Sequence, residues 1–98
     1  MDKIHKNRLI AYNKNAGKNI KYYRKLKNIS QLQIANILGV DKSTVSLYES
    51  GKTSIPVKHV CAISDILSIR IELFFENYRN KFKNLLAPSQ SIEIAQGS

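Results

Sequence analysis

Apolar positions recur at helical spacing along most of the chain, most clearly between Ser30 and Gly51, SQLQIANILGVDKSTVSLYESG, where two short amphipathic patterns flank Gly39, Val40 and Asp41. A gap that short admits only a sharp turn, so the stretch predicts a helix-turn-helix. Ser30 with Gln33 three residues later forms a capping box, and Ile29 with Ile34 a hydrophobic staple, which starts the first helix at Ser30. Ile34, Ile37 and Leu38 define its apolar face, with Ala35 beside them as a small residue for close helix approach. Gly39 can take the left-handed conformation that ends a helix, and Asp41 is the next N-cap, with Val40 and Val45 repeating the staple. In the second helix Val45 and Tyr48 face inward. Lys42, Ser43, Ser46, Leu47 and Ser50 take the opposite side.

The flanks extend this pattern to an all-α domain of five helices. Residues 1–16 read as a basic arm or a short extra helix, since Ile4, Leu9, Ile10 and Tyr12 support a helix that Asn13, Asn15 and Gly17 break. From Gly17, Ile20, Tyr23 and Leu26 mark one face and Lys18, Lys21, Lys25 and Lys27 mostly the other, with Asn28 placed for a left-handed end. After the loop Lys52-Thr53-Ser54, Pro56 suits the first position of a helix. Val57, Val60, Cys61, Ile63, Ile66 and Leu67 give that helix a broad apolar face, with Cys61 as a buried thiol. Beyond a break at residues 68–70, Ile71, Phe74, Phe75, Tyr78, Phe82 and Leu85 recur at helical spacing over about four turns. Residues 17–78 are the expected domain. Residues 79–88 extend the last helix as a candidate dimer surface, and residues 89–98, after Pro88, form a flexible tail.

Ninety-eight residues, 43% hydrophobic, suffice for one domain with a modest core. No apolar run is long enough to cross a bilayer, and no apolar segment follows the basic start as in a signal peptide, so the expected location is cytoplasmic. The single cysteine excludes an internal disulfide and a multi-cysteine zinc site. His5 and His59 have no carboxylate partner at motif spacing, and there is no glycine-rich phosphate loop. Neither an enzyme nor a metal or cofactor is expected. The net charge of +9 is unevenly placed: residues 1–27 hold nine Lys or Arg against Asp2, whereas residues 28–69 are balanced. A basic block beside a helix-turn-helix suits the phosphates flanking a DNA groove. It lacks the broad apolar face that a membrane surface would require. The small hydroxyls and one lysine of the second helix suit base edges, where Ser and Thr donate or accept and Lys reaches guanine O6 and N7.

Gly17 to Phe75 resembles the lambda-repressor-like helix-turn-helix domain of the Xre family, which includes phage repressors and many antitoxins. The resemblance rests on Ile29-Ser30-Gln31, Ile34-Ala35, Leu38-Gly39-Val40, Ser43-Thr44-Val45-Ser46, Tyr48-Glu49-Ser50-Gly51-Lys52 and Phe74-Phe75. It implies a compact five-helix lambda-repressor-like bundle. By position it implies that Lys42, Ser43, Ser46 and Leu47 read base edges, with Thr44 between base and backbone. It further implies that Gln31 touches a phosphate and braces the recognition helix, and that Ser50 and Lys52 grip phosphate. Lys18, on the basic side of helix one, is counted with the phosphate contacts. Arg24 and Glu49 match a partly buried ion pair. The chain departs from the family pattern at Ile55, with Pro56 one step late, and at Ser68 and Arg70. The implied function is a sequence-specific regulator of double-stranded DNA, a repressor binding a pseudo-palindromic operator as a homodimer. The alternative is an antitoxin that binds its own promoter and a toxin protein; an antirepressor is another possible partner class. A domain that kept the fold and lost DNA binding is disfavoured by the basic N-terminal block.

Overall fold

A computed structural model describes the backbone of residues 3–78 and the side chains of residues 7–78. The order is α1 (Lys3–Leu26), α2 (Gln31–Leu38), α3 (Lys42–Ser50), α4 (Val57–Leu67) and α5 (Glu72–Phe75), with no strand among the described residues. Every helix contributes to one core: Ile20 from α1, Ile34 and Ala35 from α2, Val45 and Tyr48 from α3, Ile63 and Leu67 from α4, and Phe74 from α5.

Local signals build the central pair of helices. The Ser30 hydroxyl accepts from Gln33 N and the Gln33 side chain accepts from Ser30 N, completing the capping box. Gly39 ends α2 in the left-handed conformation, φ 72°, which the absence of a Cβ makes inexpensive. Asp41 takes the extended N-cap conformation, although its side chain makes no capping bond. Asn28 is left-handed, φ 61°, as expected at the end of α1. Ser68, where the family pattern has glycine, adopts φ 54° and still donates its N–H to close α4.

α1 is a single helix of 24 residues, so the expected break between residues 16 and 17 falls inside it. Gly17 is buried, and a Cβ there would run into Tyr48 O and Glu49 O, so this glycine lets α1 and α3 approach backbone to backbone. Asn13 donates to Ser54 Oγ at 3.2 Å. Asn15 and Asn19, one turn apart, reach the end of α5. Asn19 Nδ2 donates to Phe74 O and Glu76 O, both at 2.8 Å. Asn15 Nδ2 donates to Glu76 O at 3.0 Å, and its Oδ1 accepts from Tyr78 N at 2.8 Å. Residues of low helix propensity are thus retained in α1 because tertiary contacts outweigh about 1 kcal/mol or less apiece.

The same contacts correct the last helix. α5 stops at Phe75 and Glu76 is extended, φ −65°, ψ 138°, so the expected helix of about four turns is interrupted where the two asparagines take its carbonyls. The expected dimer surface at 79–88 and the tail at 89–98 lie outside the described residues.

Several side chains sit elsewhere than expected. Leu26, Val57 and Phe75, expected on apolar faces, are 65%, 76% and 49% exposed, each at the end of its helix where the core does not reach. Ile37 is 64% exposed and Ala35 completes the buried face of α2. Cys61 is exposed and Ser64 is buried in α4. In both helices the residue expected inward lies at the edge of a stripe centred on its neighbours, because a short helix buries a face only about 100° wide. His59 is half-buried against Tyr48.

Candidate nucleic-acid interface

The site begins with an arginine. Arg24, in the last turn of α1, donates from Nε to Glu49 Oε2 at 2.6 Å and from Nη2 to Glu49 Oε1 at 3.0 Å. Its Nη1 donates to Ile29 O at 3.0 Å, which ties the α1–α2 connection into the same knot. The side chains are 11% and 4% exposed, so the expected ion pair is present and largely withdrawn from solvent. A fork-to-fork pair of this kind fixes orientation as well as charge. Gln31, at the start of α2, donates from Nε2 to Glu49 Oε1 at 2.9 Å, supplying the expected brace. An amide nitrogen carries two hydrogens, and the second remains for an acceptor outside the protein.

With α3 held from behind by this network, its other side faces solvent. Lys42, Ser43, Ser46, Leu47 and Ser50 are exposed, as are Lys52 beyond the helix and Lys18 on α1, whereas Thr44 and Gln31 are half-buried. The Ser50 hydroxyl donates to Leu47 O at 3.1 Å, so it must release that carbonyl before it can donate to a phosphate. Gly51 ends α3 with φ 75°, and its N–H closes on the last carbonyls of the helix.

Three features of the site have no clear signal in the sequence. Tyr48 OH and His59 Nδ1 are 2.8 Å apart and join α3 to α4. Burial raises the Tyr48 pKa, which favours the neutral phenol, and the tautomer of the His59 ring sets which of the two groups donates. Asn15 and Asn19 hold α5 against α1. Lys14 packs its backbone against Gly51 at the start of the α3–α4 loop. Among the described residues no group of His, Cys, Asp or Glu could hold a metal ion, and no helix is long and apolar enough to cross a membrane.

Comparison with known proteins decides the family. The helix-turn-helix profile matches residues 20–74, more than half of the chain and all of α2 to α4. The chain belongs to the helix-turn-helix family of DNA-binding transcriptional regulators. Within that family it is similar to an uncharacterized HTH-type transcriptional regulator, MJ0272, of Methanocaldococcus jannaschii, with 36% identity over 56 residues that cover 57% of this chain and 85% of that protein. It is also similar to antitoxin PezA of Streptococcus pneumoniae, with 44% identity over 78 residues that cover 80% of this chain. The match spans 46% of PezA, so less than half of that antitoxin has a counterpart here. Membership of the helix-turn-helix family points to a non-enzymatic, DNA-binding domain over residues 20–74.

Proposed function

We propose that the protein represses transcription by binding a pseudo-palindromic operator as a homodimer, each subunit laying α3 in the major groove. The observation that carries this reading is the Arg24–Glu49–Gln31 network, which anchors the end of α3 from inside while Lys42, Ser43, Ser46 and Leu47 stay exposed on its other face. Lys42 is the residue with the reach and charge for guanine, the two serines are adaptable donors and acceptors, and Leu47 offers methyl groups to thymine. Thr44 is placed between base and backbone. Gln31, Ser50, Lys52 and Lys18 take phosphates. One recognition helix reads only a few base pairs, so specificity calls for two subunits on half-sites about 34 Å apart.

With four to five phosphate contacts per subunit, log K is expected to fall with log salt at a slope of about −7 to −9, at two subunits per operator. Titration across a salt series checks both numbers. A slope near about −2 would contradict the two-subunit complex.

The 44% identity with an antitoxin favours a second reading, in which the same domain binds its own promoter while another part of the protein masks a toxin. Co-purification of a small toxic protein encoded next door would establish it. Normal growth on expression of every neighbouring gene without this protein would remove it.

A further inference from the structure

The N-terminal half of α1 precedes the region matched by the family profile, which begins at residue 20. We propose that Lys14, in this half, is a further phosphate contact that works with Lys52 on the α3–α4 loop. The inference rests on the DNA-binding reading above and adds to it a contact from outside the matched region.

Two neighbouring residues of α1 dock this turn on the loop. A Cβ on Gly51 would lie 2.6 Å from Lys14 Cα, so the helix backbone sits directly on the residue before Lys52. Asn13 donates to Ser54 Oγ at 3.2 Å, fixing the far side of the same loop. Lys14 therefore lies against Gly51 and Lys52 follows Gly51 in the chain, and both are exposed. Neither is ion-paired with a described residue, and α1 carries no Asp or Glu anywhere in its sequence. Two lysines whose backbones meet at Gly51, neither ion-paired with a described residue, raise a local positive potential that a polyanion relieves. Lys18, one turn further along, continues the charge in the direction expected for i and i+4 neighbours. Lys25 lies on the same side but about 16 Å along the helix from Lys14, beside Asn28 and Ser30. That makes it the comparison residue.

The test uses the full chain, a duplex operator recovered by selection, and the variants Lys14→Gln, Lys25→Gln and Lys52→Gln. Lys14→Gln is expected to flatten the salt slope by about 0.9 per bound subunit. Ethylation interference should lose a phosphate adjacent to the one lost in Lys52→Gln. Lys25→Gln should keep the wild-type slope and footprint. An unchanged slope in Lys14→Gln, or equal changes in Lys14→Gln and Lys25→Gln, would overturn the local contact. If Lys14→Gln melts at a lower temperature, Lys14→Arg restores the charge on a similar stem and must recover the slope, and failure to do so also overturns it. A normal wild-type complex with an unaltered Lys14→Gln removes this inference alone. Absence of any specific wild-type complex removes the proposed function with it.

Discussion

Gly17 occupies the middle of α1, where alanine would favour an isolated helix by about 1 kcal/mol, yet a Cβ at this position meets the backbone oxygens of Tyr48 and Glu49. Backbone cannot step aside as a flexible side chain can. Gly17→Ala is therefore expected to destabilise the fold by about 1 to 3 kcal/mol through overpacking, measured by denaturant unfolding. A gain in stability would show that α1 and α3 can separate freely. Glu49 makes a parallel case with charge. Its carboxylate accepts from Arg24 twice and from Gln31 once at 4% exposure. Glu49→Ala leaves a nearly buried guanidinium without its partner and is expected to cost about 3 to 5 kcal/mol. Lys42→Ala, on the exposed face, should change stability by less than about 0.5 kcal/mol. Thermal melts that shift equally in the two variants would contradict the ascribed division between anchor and reading face.

At the scale of elements, how far a feature was legible in the sequence follows how far its cause lies along the chain. The capping box of Ser30 and Gln33, the left-handed Asn28 and Gly39, and the two faces of α3 are set by residues within a few positions of one another, and the structure has them where the pattern puts them. The length of α1 and the end of α5 depend on Asn15 and Asn19 reaching residues 55 to 63 positions away. Read locally, an asparagine weakens a helix; nothing nearby in sequence reports what its amide will meet. Asn19 is fully buried with donors on two carbonyls. Asn19→Ala should leave Phe74 O without its side-chain donor while Asn15 keeps its bond to Glu76 O, lowering stability by about 1 to 3 kcal/mol and speeding amide exchange in α5 more than in α2. Uniform exchange rates across both helices would show that α5 does not depend on this clamp. The same locality explains Ile37 and Cys61, whose periodicity is apolar but whose angular position on a short helix falls outside the buried stripe.

For the whole molecule, the exposed face of α3 was legible because helical periodicity alone separates Val45 and Tyr48 from Lys42, Ser43, Ser46 and Leu47. The grouping of Lys14 with Lys52 was not, because it depends on α1 crossing the α3–α4 loop at Gly51. In the proposed complex Lys18 and Lys52, beside an α1 free of Asp and Glu, supply the sequence-blind attraction to DNA, while the exposed side of α3 discriminates between sequences. In that complex this discrimination belongs to α3 and is exercised by two subunits together. In vitro selection from a random duplex library, with wild type and Lys42→Ala side by side, tests it most directly. Wild type should recover a palindromic motif, and Lys42→Ala should show a weakened preference at one symmetric pair of its positions. Salt-sensitive binding without any recovered motif, or a motif identical in the two proteins, would contradict it.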